Sequence, residues 1–346
     1  MRVIFAILVA IVLPWTQAWG DESASWTDAV SPLDHRPGFI DLYLDADANA
    51  IYAALPAPDE DGLSVRYIYT TGLTGGLGSN PIGLDRGNAN RGIIVGFRRI
   101  GDKIVAEHEN WRFRATADNP REQLAVAQSF ARSFLWSQEI HAEDETGQLL
   151  VDLTSFLTRD LFNIAGDLKF GADAGAYSLD LNRSFADLEA ALVFPDNVEL
   201  DAHLTFSTSK PNSQTNATAP DARSVTLTLH HSFVRLPDNG YKPRKFAQRT
   251  ANIGFSYYDY SAYLSDTVFQ RLSRRFRLER VDPDAPSSPA KEPIVFYVDS
   301  GAPEQIRNAL IEGAMWWAEG FEAAGFEDAY RVEVLPDDAH PLDVRY

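Results

Sequence analysis

The chain has 346 residues, no cysteine and a formal net charge of −18, from 31 basic and 49 acidic side chains. The missing cysteine excludes a disulfide-stapled scaffold and a lipoprotein anchor, and a chain this long buries enough apolar surface to fold without staples. The acidic excess is spread along the sequence and repels phosphate backbones, which excludes nucleic acid as a natural partner.

The chain opens with MRVIFAILVAIVLPWTQAWG, in which Arg2 precedes an apolar core and Ala18-Trp19-Gly20 offers small residues around a signal-peptidase site. The apolar run is shorter than the ~20 residues that span a bilayer. Residues 1–20 are therefore expected to be a cleaved export signal, giving a periplasmic or extracellular protein with no transmembrane segment after cleavage. Beyond a polar lead, GFIDLYLD and AIYAAL flank Ala46-Asp47-Ala48-Asn49 and predict a hairpin. Asp45 and Asp47 resemble part of a calcium loop, but the twelve-residue pattern is incomplete and a hairpin tip is the better reading.

The stretch 65–92 begins as an alternating strand and runs into a loop with glycine at 72, 75, 76, 78, 83, 87 and 92. Such density implies positive φ or close backbone approach. A Walker loop is excluded because 65–92 holds no lysine. A dinucleotide fingerprint fails because Pro81 stands where its third glycine belongs, and the residue before a proline disfavours helix. A structural loop or domain contact is the better reading.

IIVGFRRI and KIVAEHE are joined across Gly101-Asp102 as a second hairpin, and WRFRA continues the β pattern. Asn119-Pro120 opens a predicted helix whose core face is Leu124, Ala127, Phe130, Ala131 and Phe134. A hairpin turns at Thr146-Gly147, and a short helix is predicted over 155–168. NVELDAHLTFS and SVTLTLHHSFVRL read as long strands separated by a polar loop at 208–221. A third helix is predicted over 264–280. Its arginines 271, 274, 275, 277 and 280 read either as an anion contact or, preferably, as a solvated face beside buried Val268, Leu272 and Phe276. The aromatic cluster of Tyr257, Tyr258, Tyr260 and Tyr263 suggests a carbohydrate- or peptide-binding surface, although core is the better reading.

DPDAPSSPAKEP (282–293) predicts a semi-extended linker. After it come an apolar strand at 294–298, a helix with Ile306, Leu310, Ala314, Trp317 and Phe321 on one face, a glycine cap at Gly325 and a strand at 330–335. Strand, helix and strand suggest a βαβ unit. Trp316, Trp317, Phe321 and Phe326 are a heavy apolar load for it, so this domain is expected to be begun and not completed within the chain.

TGLTGGLGSNPIGLDRG, together with WRFRATADNPRE (111–122), LVDLTSFLTRD (150–160), HHSFVRLPDNGYKPR (230–244), YYDYSAYLSD (257–266), the long block 292–326 and VEVLPDDAHPLDVRY (332–346), resembles the N-terminal region of bacterial zinc-dependent metalloproteases. In that family, domain of unknown function 5117 precedes a metzincin-like catalytic domain. The resemblance implies an α+β chain. A β-rich N-terminal domain with a few helices at 21–281 is followed by the linker 282–293 and the incomplete start of an α/β metzincin-like domain at 294–346. It also implies that the complete protein uses zinc to hydrolyse peptide bonds.

A metzincin binds zinc through HExxHxxGxxH on a helix, the glutamate acting as general base. Here His35, His108, His141, His203, His230, His231 and His340 include no pair four residues apart, and the only methionines are Met1 and Met315. His230 and His231 are adjacent and on a strand point to opposite faces. No catalytic, cofactor-binding or metal-ligating residue is expected in this chain, and zinc belongs to the complete family member alone. The implied partners are the protein's own catalytic domain and the peptide or protein substrate of the parent enzyme. The alternative is a stand-alone β-rich binding, scaffold or protease-inhibitory module of the cell envelope. As an inhibitor it would lay the glycine loop, with Asp85, over a protease cleft.

Overall fold

The computed structural model describes residues 25–172, 175–249, 252–298, 300–340 and 342–345; the expected export signal and the terminal Tyr346 lie outside the described residues. Helix α1 (Trp26–Val30), capped by the Ser25 hydroxyl, leads into β1 (Asp34–Arg36), β2 (Leu42–Asp45) and β3 (Ala50–Leu55). β4 (Leu63–Gly75), β5 (Ile93–Ile100), β6 (Lys103–His108), the two-residue β7 (Phe113–Arg114), helix α2 (Pro120–Ser129), β8 (Ser133–Glu143) and β9 (Leu149–Asp152) follow. Short helices α3 (Thr154–Leu157) and α4 (Ile164–Leu168) precede β10 (Ser178–Leu179), β11 (Phe185–Val193), β12 (Asn197–Ser207), α5 (Ser213–Thr218) and β13 (Ser224–Val234). The chain continues through β14 (Gly254–Asp259), β15 (Phe269–Ser273), β16 (Ser288–Pro289), β17 (Ile294–Val298), α6 (Glu304–Met315), α7 (Ala318–Ala323), β18 (Phe326–Glu327) and β19 (Tyr330–Val334).

Twelve strands form one antiparallel sheet in the order β1-β2-β3-β9-β8-β6-β5-β4-β13-β12-β10, with β11 also paired to β12. The sheet curls until its ends meet. Arg36 Nη1 donates to the Ala191 carbonyl at 2.5 Å, Asn49 Nδ2 to the Ala186 carbonyl at 3.1 Å, and the Phe39 N–H to the Phe194 carbonyl at 3.1 Å. Alternation decides what lies inside. On β4, Tyr67, Tyr69, Thr71 and Leu73 are buried, and the residues between them are not. Tyr67, Tyr69, Phe97, Phe233 and Phe156, the last delivered by α3, pack with ring centroids 4.9 to 6.3 Å apart. The void left among Leu42, Leu55, Tyr67, Phe97 and Phe233 is about 10 Å³, room for one water at most. The interior around these rings is a packed core.

The hairpins at 46–49, 101–102 and 144–148 stand where they are expected. The glycine loop is structural. β4 runs on to Gly75, and the loop folds back so that the Leu77 N–H donates to the Leu84 carbonyl at 2.8 Å and the Gly87 N–H to the Leu73 carbonyl at 2.7 Å. Leu77 and Leu84 are buried in the main core.

Other expectations change. The helix over 264–280 is absent: Phe269–Ser273 is a strand, antiparallel to β14. The arginines mask a short period-two run, whose flanking N–H groups bond across the chain, Ser273 to the Arg244 carbonyl and Arg274 to that of Ile253. The helix opening at Pro120 forms, capped by Asn119, but buries none of its residues. It lies outside the curled sheet, so the expected core face is not core: Leu124 is 57% exposed, Ala127 and Ala131 are also exposed, and Phe134 belongs to β8. The helix expected over 155–168 is split in two, because the Asp160 carboxylate accepts the N–H groups of Ile164 and Ala165 and starts α4 afresh. The polar loop at 208–221 contains α5, capped by Asn212, whose Nδ2 also donates to the Leu168 carbonyl at 2.7 Å.

Segment 282–293 doubles back instead of extending: the Val281 N–H donates to the Pro289 carbonyl at 2.9 Å and the Lys291 N–H to the Glu279 carbonyl at 2.8 Å. Its buried Ser288 lies in β16, which pairs in parallel with β18. β17 and β19 are parallel neighbours with α6 and α7 between them in sequence, as strand–helix–strand predicts. Gly325, at φ +81°, ends α7. The expected apolar face of α6 is not buried: Ile306, Leu310 and Trp317 are exposed, Trp317 to 71%, with no second layer over them among the described residues. The chain then returns to the curled sheet. Asn197 Nδ2 donates to the Leu342 carbonyl at 2.7 Å, and its Oδ1 accepts the Val344 N–H at 3.3 Å.

Candidate functional site

The alternation that buries Tyr67, Phe97 and Ala106 leaves Arg66 of β4, Arg98 of β5 and Glu107 of β6 off the core face. The register sets Arg66 opposite Gly96 and Gly96 opposite Glu107. A Cβ at Gly96 would stand 3.0 Å from Glu109 Oε1, so glycine here makes room for that carboxylate across the strand. A ladder of charges results. Arg66 Nε donates to both Glu109 oxygens at 2.8 Å, and Trp111 Nε1 donates to Glu109 Oε2 at 3.0 Å. Arg98 reaches Glu109 at 3.4 Å and Glu107 at 3.1 Å, and Arg132 binds Glu107 through two donors at 2.9 and 2.6 Å. Arg132's hydrogen bond, with help from Arg98, holds the Glu107 carboxyl below its ordinary range despite burial.

α2 and the segment from Asn110 to Thr116 stand over this ladder and enclose a cleft of about 740 Å³. A second cleft of about 620 Å³ shares the wall from Trp111 to Arg114 and reaches Phe255 and Ser256. The parallel pairing of β7 with β14 fixes this wall. Phe113 stacks on Phe130 at 4.0 Å, and the Arg114 guanidinium lies 4.4 Å from the Tyr257 ring centroid, 5.2 Å from Trp111 and 5.6 Å from Phe255. Arg114 Nε donates to the Trp111 carbonyl at 2.6 Å. Guanidinium groups in fixed planes recognise carboxylates, and exposed rings recognise apolar side chains. Both glutamates of the cleft are held in ion pairs, so neither is poised as a general base.

The histidines are scattered. His35 stacks on Tyr43 at 4.6 Å, His141 packs on Tyr52, His340 on Phe194, and His108 lines the smaller cleft. Among the described residues no three His, Asp or Glu side chains are grouped to hold a metal ion. His203 joins Asp187 at 3.2 Å and the Thr228 hydroxyl at 3.1 Å, a carboxylate–imidazole–hydroxyl relay. Thr228 lies so close over Gly75 that a Cβ there would be 2.6 Å from its hydroxyl, and it lines neither of the two clefts described above.

His230 and His231 do point to opposite faces. His230 is gripped by Glu199 at 2.6 Å and Asp201 at 2.5 Å; burial alone would lower its pKa, but the two carboxylates outweigh this and raise it to about 9. His231 is fully buried, accepts from the Tyr69 hydroxyl at 2.7 Å and donates to the Leu157 carbonyl at 3.0 Å; burial pulls it down to about 3, so it is neutral.

Asp85 sits within the glycine loop, with Oδ1 buried and lacking a hydrogen-bond partner among the described residues. The rings expected as core are not: Tyr257 and Tyr258 are half-buried, Tyr260 and Tyr263 exposed. Nor are Val268 and Phe276 buried beside a solvated arginine face. Arg271 covers Phe246 at 3.8 Å, Arg275 lies on Tyr241, and Arg277 pairs with Asp238. Sequence reading did not find the cleft. Its one local signal was WRFR, cation and ring alternating at 111–114.

Residues 87–280 match the family model described as Domain of unknown function (DUF5117). No curated protein matches the chain, and no solved structure does.

Proposed function

The chain belongs to the DUF5117 family, and from that premise we propose that it is the non-catalytic, polypeptide-binding N-terminal part of an exported zinc-dependent metallopeptidase. On this reading β17 to β19 begin the catalytic domain, whose zinc-binding helix lies outside these residues. The observation that carries the proposal is the cleft under α2. It offers arginine donors, the exposed ring of Trp111 and the half-buried rings of Phe113 and Phe130, while both of its carboxylates are neutralised by ion pairs. That is equipment for holding a polypeptide, not for breaking one. The blocks of resemblance at 111–122, 230–244 and 292–326 supply the protease context.

The test uses the purified chain with fluorescein-labelled casein. Saturable binding without cleavage, and zinc well below one equivalent by elemental analysis, is expected. Chelator-sensitive cleavage with stoichiometric zinc would overturn the non-catalytic reading, and absence of casein binding would overturn the binding reading.

A further inference from the structure

We infer that the cleft is specific for acidic peptides and seats a ligand carboxylate on Arg114, in an inference that rests on the polypeptide-binding reading above. Four arginines line the larger cleft against two glutamates, in a chain whose overall charge is −18. The positive field is therefore local and directed at whatever enters. Arg66 pairs through Nε alone, and among the described residues neither of its Nη groups makes a hydrogen bond.

Arg114 stands where the two clefts adjoin. It lines both clefts, its plane is fixed by three rings and by the Trp111 carbonyl, and among the described residues no carboxylate lies within ion-pair distance of it. The nearby Asp259 is engaged by Thr116 and Ser261. Burial pulls the Arg114 pKa down, against the opposing charge of Asp259, so the site holds a partly desolvated cation that no carboxylate among the described residues contacts directly. A carboxylate would accept two parallel N–H donors from it.

The clefts are each within the ~300–1,000 Å³ of ligand sites and adjoin along Trp111 to Arg114, with Trp111 44% exposed on the rim. This shape fits an extended peptide that alternates acidic and apolar side chains. A polyanion would meet the negative field of the whole chain, which a few carboxylates largely escape.

Fluorescence anisotropy tests this with a labelled octapeptide of alternating Glu and Leu and its Gln-for-Glu counterpart. The Glu peptide should bind at least tenfold tighter, and more weakly as salt rises. Arg114→Gln and Arg132→Gln, each checked for unchanged circular dichroism, should each weaken it about tenfold, while Arg223→Gln, at a surface pair away from the cleft, should not. Equal binding of the two peptides, or equal loss in Arg223→Gln, overturns the inference and leaves polypeptide binding standing. Binding of neither peptide, with casein still bound, also overturns the inference alone; loss of casein binding as well takes the underlying reading with it.

Discussion

Two neighbouring imidazoles on β13 show how much a one-residue step decides. His230 is charged at neutral pH between two carboxylates, and His231 is neutral inside the core. Their linkage to folding has opposite signs. His230 is raised above its unfolded value of about 6.5, so its contribution is complete below that pH and is lost as pH rises through about 9. His231 is depressed to about 3, so stability falls as pH drops below about 6.5, where the unfolded chain takes up the proton. Urea unfolding from pH 4 to 10 should therefore show a maximum near 6.5, with stability falling as pH drops below it and falling again as pH rises from there to about 9. His230→Gln should flatten the alkaline limb, on the order of 3 kcal/mol, and leave the part of the acid limb due to His231. An unchanged alkaline limb would refute the assignment. Adjacency on a strand is enough to say that the two face opposite ways. Which side is core depends on Tyr69 and Leu157, brought in by β4 and α3.

At the scale of single elements, the glycine loop makes the sharpest demand on residue type. A Cβ on Gly76 would stand 2.5 Å from the Arg86 nitrogen and 2.6 Å from the Leu84 oxygen, both main chain and unable to yield. Gly78 has φ +80° but open space around it. Gly76→Ala should cost about 3 kcal/mol or more by overpacking, and Gly78→Ala about 1 kcal/mol by backbone strain. Denaturant midpoints of the two variants check the order, and a milder effect at Gly76 would contradict the packing. Hairpins and long strands were legible because their period-two pattern is local and their turns carry glycine or asparagine. The strand Phe269–Ser273 was not, because five residues crowded by arginine commit to β only once β14 lies beside them. The cleft was illegible for a related reason. Arg66, Arg98, Glu107 and Arg132 look like ordinary outward charges on separate segments, and only the register makes them one ladder.

Across the whole molecule, the boundaries of folding and of family differ. The family match begins at residue 87, yet β4 lies in the middle of the sheet between β5 and β13. A chain cut to residues 87–280 would expose both of those edges and remove Tyr67 and Tyr69 from the core. It should aggregate or lack a cooperative thermal transition, whereas residues 25–345 should melt cooperatively; calorimetry compares them, and a cooperative transition in the short chain would show that β4 is dispensable. The order β5-β4-β13 also governs time. As the chain is synthesised, β4 can close one edge early against β5, but its other edge waits until Val234 has emerged. The sheet closes on itself only after β11 has met Arg36 and Asn49 from the opposite end. So much of the wall is pairing between distant segments that folding should be slow, its rate set by loop closure and not by any single strand.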